Sequence, residues 1–214
     1  MLFFDFNKDF APAMFSPSAT DYCDFDPAEP PRLTVCIDTE EEFDWSEDFS
    51  RENTQVSAMA HIGRVQSIFD EFGIKPVYVI DYPVATTASS VDVLGEIHRD
   101  GRCVIGAHLH PWVSPPHREA VNRTNSFPGN LQASLEAEKL ETLCGVIDEN
   151  FGHRPTIYKA GRYGIGPNTA AMLEEQGFEI DMSVCPNIDL SAENGPDFTA
   201  SKLSPYWFGH EKKL

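Results

Sequence analysis

No stretch of the 214-residue chain approaches the ~18 to 20 apolar residues that a membrane-spanning helix requires, which excludes membrane insertion by such a helix. Basic residues are scarce, with 16 Lys and Arg against 34 Asp and Glu and a formal charge of −18. A surface that negative repels polyanions, so general binding to nucleic acid or anionic membranes is excluded. Neutral or cationic substrates and divalent metal ions remain compatible with it. Cysteine is limited to Cys23, Cys36, Cys103, Cys144 and Cys185, with no CxxC, and an odd count fits no closed disulfide framework. Three lie inside apolar runs such as LTVCI and CVIG, where a reduced thiol behaves as a small hydrophobe. A reducing compartment follows, and the Asn122-Arg-Thr124 sequon then carries no meaning. The N-terminal MLFFDFNKDF has acids where a signal peptide needs basic residues and an unbroken apolar stretch, so a cytoplasmic location is expected. A Gly-x-Ser-x-Gly elbow is also missing, and no Cys has a local His partner, which leaves covalent nucleophilic catalysis without support.

What is present is ample apolar material. Hydrophobic residues make up 41% and charged residues 23%, which permits a packed core. Residues 1–32, rich in Phe, Asp and Pro, read as an irregular extension that Phe3, Phe4 and Phe6 could drape over the domain or offer to a partner. From residue 33 the texture alternates. Buried-strand runs are expected at LTVCI (33–37), VYVI (77–80), CVIGA (103–107), TIYKA (156–160) and EIDMSV (179–184). Between them, helices are expected over 54–72, from Ser89 or Ser90 to Ile97, over 134–150, and from Pro167 to Gly177. In the first, Val56, Met59, Ile62, Val65, Ile68, Phe69 and Phe72 form the apolar stripe. Strand–helix alternation predicts parallel strands, whose carboxyl ends collect the chemistry.

Three constellations follow strand ends. In residues 36–45, Asp38, Glu40, Glu41 and Glu42 crowd four carboxylates into five positions. They repel one another unless a cation or proton compensates. Asp38, Glu40 and Glu42 share a face while the chain stays extended. A solvated acidic loop is the plain alternative. In residues 106–112, GAHLHPW, His108 and His110 also share a face, and imidazoles beside carboxylates suit Zn²⁺ or a similar ion. Trp112 and the Pro115-Pro116 pair wall that loop or merely fill it. In residues 158–166, YKAGRYGIG, three glycines let the chain turn into the next helix. Their spacing matches neither phosphate-binding fingerprint. Arg162 could orient a carboxylate there. His61, His98, His117, His153 and His210 read as ordinary surface or loop residues.

Together, the acids after strand one, the histidine pair after strand three and the arginine-bearing turn after strand four resemble the polysaccharide deacetylases. This is the NodB-homology or carbohydrate esterase 4-like group, and the nearest branch is WalW-like. The likeness covers about residues 33 to 208. DTEEEFDW and GAHLHPW carry its most specific part. The resemblance implies a distorted (β/α) barrel, domain 33–214 here, with one divalent metal, most often Zn²⁺, Co²⁺, Ni²⁺ and Mn²⁺ being alternatives. It implies Asp38 as catalytic base, Arg162 as the residue positioning it, and Glu40, His108 and His110 as metal ligands. Trp112 and Tyr163 are expected to contact a carbohydrate substrate. Thr39 stands where the family commonly has a second aspartate. Position 112 is Trp where the family spacing would put the second histidine, so His117 is an alternative to His110. Lys159 stands where an Arg is often found. The family's general acid, a His on a late strand, has no counterpart except His210, which lacks an apolar strand around it.

The implied activity is hydrolysis of an N-acyl group on a glycan or sugar conjugate. A non-catalytic metal- or glycan-binding barrel and a C–N hydrolase of small amides are the alternatives. Five strands fall short of the seven or eight such a barrel has, so a truncated barrel is expected.

Overall fold

Five short strands run parallel in the computed structural model of the chain, which describes residues 17–19 and 21–207. They are β1 (Cys36–Thr39), β2 (Val77–Ile80), β3 (Val104–Leu109), β4 (Ile157–Ala160) and β5 (Ile180–Asp181). Each pairs with its successor, with Asp38 opposite Val79, Val79 opposite Gly106, and His108 opposite Lys159. Strictly sequential order is the winding of a (β/α) barrel and not of a doubly wound sheet. Among the described residues the sheet stays open, with β1 and β5 as its edges. The expected alternation and parallel sheet are therefore present, whereas barrel closure is not.

Right-handed crossovers between neighbouring parallel strands place successive helices on one face. The helices are α1 (Ile62–Glu71), α2 (Tyr82–Thr86), α3 (Ala88–Arg99), α4 (Ala133–Phe151) and α5 (Thr169–Glu175). Tyr78, Ile80, Ile105, Ala107, Leu109, Tyr158 and Ala160 pack with Leu94, Ile97, Leu140, Leu143 and Ile147 into one core. Since strand side chains alternate, Asp38, Val79, Gly106, His108 and Lys159 belong to the opposite face. On that face Val77, Ile157 and Ile180 line a cleft of about 990 Å³ beside Leu203 and Trp207.

Gly73, Gly101, Gly152 and Gly177 end or follow helices in the left-handed conformation, as a Cβ-free residue permits. Two local departures are instructive. The stretch 54–72 splits into a 3₁₀ turn, Ser57–His61, and α1. It buries Val56, Met59 and Ile62, but leaves Val65, Ile68 and Phe72 exposed. Besides Ile62, the residue buried on α1 is Gln66, whose Oε1 accepts from the Tyr78 hydroxyl at 2.9 Å. Helix α2 has too little apolar periodicity to announce itself. It starts because the Asp81 carboxylate accepts the Val84 N–H at 2.9 Å and Pro83 fits the first turn. Within 21–32 the regular feature is the Tyr22–Tyr206 bridge. Phe3, Phe4, Phe6 and His210 lie outside the described residues. All five cysteines are free.

Candidate active site

The first acid cluster separates by burial as soon as β1 ends. Asp38 lies on the strand, and both its oxygens accept from Lys159 Nζ, at 2.6 and 2.5 Å. Glu40 turns into the cleft, Glu41 into the interior, where it is 3% exposed, and Glu42 outward. Glu42 leaves the face that an extended chain would give it. Its carboxylate accepts from the Ser57 hydroxyl at 2.6 Å and the Ala58 N–H at 2.8 Å, capping the 3₁₀ turn.

Strand β3 delivers His108 and His110, each 2% exposed. His108 Nδ1 lies 2.8 Å from the Lys159 carbonyl oxygen, which can only accept, so that nitrogen carries the proton. Its Nε2 is 3.0 Å from Glu40 Oε2. His110 Nε2 is 3.3 Å from the same oxygen, and its Nδ1 is 2.7 Å from Glu41 Oε2. One atom from each of Glu40, His108 and His110 falls within 4.8 Å of the others. Burial acts to raise the Glu40 carboxyl, but both histidines and Lys159 more than offset it and hold it below its ordinary value. Burial lowers the basicity of His110. One carboxylate oxygen and two imidazole nitrogens thus converge at the cleft, a ligand set that suits a cation.

A second tier lies beneath. The Asp81 carboxylate accepts the Glu41 N–H at 2.8 Å, and carboxyl atoms of Glu41 and Asp81 lie within 4.8 Å of a His110 nitrogen. Burial pushes the Glu41 carboxyl up to about 7 and raises Asp81 well above the ordinary range, each made worse by the other's charge or that of Glu40. The signal for Asp81 is its place directly after β2. Its partner is 40 residues away, so its role could not be read locally.

The third constellation places Arg162 differently from the expectation. Arg162 and Tyr163 both have left-handed backbones, φ 56° and 57°, a strained arrangement for residues with side chains. That turn sends the guanidinium to the Ser126 hydroxyl (2.5 Å), the Arg123 carbonyl (3.4 Å) and the Glu193 carboxylate. It also covers the Phe127 ring at 4.0 Å. The partner of Asp38 is therefore Lys159, and Arg162 pins the 123–127 loop beside it. Gly161 is glycine for a plain reason: a Cβ there would collide with the His110 ring and the Leu109 carbonyl.

Asp38, Glu40, His108, His110, Lys159, Arg162 and Tyr163 line one pocket with Trp45. Trp112 does not reach it. At 2% exposure it stacks on the back of His110, with centroids 4.3 Å apart and planes at 25°. Trp45, which sequence reading passed over, is 53% exposed at the pocket. His117 sits in an exposed loop outside both acid–histidine groups.

Fold and site together define a singly wound parallel α/β domain carrying a two-histidine, one-carboxylate cluster at the carboxyl ends of its strands. No protein-family model matches the chain, and no curated protein matches it. Solved structures similar to it are family 4 polysaccharide deacetylases. A CE4 family pseudoenzyme from Bacillus anthracis, mutated to restore activity, is 11% identical with a TM-score of 0.49, over 74% of this chain and 47% of that one. IcaB from Ammonifex degensii is 18% identical with a TM-score of 0.46, over 69% and 57%. The chitin deacetylase of Colletotrichum lindemuthianum is 12% identical with a TM-score of 0.46, over 69% and 53%. The chain thus spans about half the length of these structures.

Proposed function

We propose that the chain is a metal-dependent hydrolase that removes an N-acyl group, acetyl in the first instance, from a polysaccharide or sugar conjugate. The observation that carries this reading is the convergence of His108 Nε2, His110 Nε2 and Glu40 Oε2 on one point of an open cleft beside Asp38. The donor set fits a divalent ion, most readily Zn²⁺, because two neutral imidazoles and one carboxylate leave coordination positions open. Such an ion supplies Lewis acidity toward a substrate carbonyl and a water. Asp38 is the group placed to take the proton of the attacking water. Lys159, donating to both its oxygens, holds the carboxylate toward the cleft. Trp45 and Tyr163 present exposed ring surface at the same pocket, suited to the apolar face of a sugar.

A specific observation favours a second reading, a binder without turnover. Among the described residues no histidine beyond the two candidate ligands lines the pocket, so the histidine general acid that the family resemblance implies has no counterpart there. Acetate release from N-acetylated oligosaccharides by the zinc-loaded protein, lost in Asp38→Asn, supports the hydrolase. Stoichiometric zinc with no release supports the binder, and no bound zinc, cobalt, nickel or manganese overturns both.

A further inference from the structure

The two histidines are held in the same way by different means. His108 has its Nδ1–H tied to a backbone carbonyl, which leaves no choice of tautomer. His110 has its Nδ1 facing a side chain, Glu41, at 2.7 Å. Packing fixes the plane of the His110 ring: Trp112 stacks on it and Gly161 presses against it. Packing does not tell the ring from its 180° flip, which exchanges the nitrogen positions with carbons of nearly equal size. An acceptor on one side does, because only one flip puts an N–H there.

The acceptor is itself anchored. The Glu41 N–H donates to Asp81 Oδ2 at 2.8 Å, while Asp81 Oδ1 accepts from the Val84 N–H at 2.9 Å. The chain of contacts therefore ends in the backbone of α2. Both Glu41 and Asp81 are buried, with Asp81 fully inaccessible, so neither can serve substrate directly.

We propose that Glu41, anchored by Asp81, is a positioning residue that holds His110 with Nδ1–H on Glu41 and the Nε2 lone pair in the cleft. The proposal deepens the metal-hydrolase reading and rests on it for its effect on cation affinity. A carboxylate behind a ligating imidazole fixes its orientation and raises its basicity, and losing one typically lowers metal affinity ~10–100-fold.

The test has two arms on the full chain. Long-range ¹H–¹⁵N imidazole spectra of the metal-free protein in mildly alkaline buffer report the tautomer, with the His110 signals assigned by their loss in His110→Phe. The expected result is Nδ1–H in the wild type and a shift toward Nε2–H in Glu41→Leu. Nε2–H in the wild type, which needs no variant to fold, overturns the proposal, as does an unchanged tautomer in folded Glu41→Leu. In the second arm, Co²⁺ titration followed by visible absorption should show an affinity ~10–100-fold weaker in Glu41→Leu. Glu41→Gln, whose amide oxygen still accepts from Nδ1–H, should stay closer to wild type. Equal Co²⁺ affinity in wild type and Glu41→Leu overturns the proposal. Absence of Co²⁺ binding in the wild type overturns the hydrolase reading instead, and the tautomer then decides the role of Glu41.

Discussion

Two groups of inward-facing polar side chains lie on either side of the His110–Trp112 segment, and they obey opposite rules. Behind it, on α4, Lys139 is fully buried, donates to the Pro111 carbonyl at 3.0 Å and the Ser114 carbonyl at 2.5 Å, and forms an ion pair with Glu119 at 3.1 Å. Its charge meets two carbonyls and a carboxylate. Nearby, the buried Glu136 carboxylate accepts the Thr169 hydroxyl at 2.9 Å, whose oxygen accepts the Gly166 N–H at 2.8 Å. In front, with His110 in the tautomer proposed above, Glu40, His108 and His110 aim acceptors at one another with nothing to donate. A closed polar group holds a loop in place, whereas a convergent, donorless one lowers its energy only when a cation arrives. Burial alone would not separate them. Counting donors against acceptors does.

The contrast can be broken by substitution. The largest effect is expected for His108→Ala, which should abolish zinc binding in calorimetric titration while the protein still folds. Unfolding of this variant would show the front group to be structural after all. Asp38→Asn comes next, with acetate release falling ~10²–10⁴-fold and zinc affinity retained. Loss of zinc along with activity would move Asp38 from base to ligand. Behind the segment the signs reverse. Lys139→Met leaves the nearly buried Glu119 carboxylate with only Arg51, 4.0 Å away, and should cost about 3 kcal/mol in urea denaturation.

Glu136 sharpens the comparison through pH. Burial pushes its carboxyl up to about 7 from an ordinary 4.5. Between these values the folded state binds more protons than the unfolded one, so stability is full below about 4.5 and falls as pH rises through about 7. The shift corresponds to a loss on the order of 3 kcal/mol. Glu136→Gln, which stays neutral, should flatten that decline in denaturation midpoints measured across the window. A persistent decline would assign it to other groups. Smallest is Arg118→Ala. Its exposed pair with Glu138 should be worth under ~1 kcal/mol, and a larger loss would mean that the loop depends on surface charge as well as Lys139.

Much of this could be read before folding, for identifiable reasons. Strands buried on both faces write themselves as short apolar runs, and VYVI and CVIGA mark β2 and most of β3. Acids at a strand end and an HxH pair after another strand lie in one stratum because parallel strands align their carboxyl ends. Arg162 could not be placed in this way. Its direction depends on two consecutive left-handed residues, a backbone state no local pattern announces for Arg-Tyr. The α1 stripe misleads for a related reason. Periodicity says which residues share a face, not whether another element covers it, and Val65, Ile68 and Phe72 stay exposed.

The amino-acid sequence by itself determined the alternation of strands and helices, the absence of a long apolar span, and the chemical inventory of the cleft. These are properties of neighbours along the chain. Only the tertiary structure decided that Glu40 faces His108, that adjacent Glu41 turns inward to His110 and Asp81, and that Lys159 rather than Arg162 meets Asp38. Each depends on groups brought together from 40 to 121 residues apart. At such distances the register of a parallel sheet, not local spacing, sets which side chains meet.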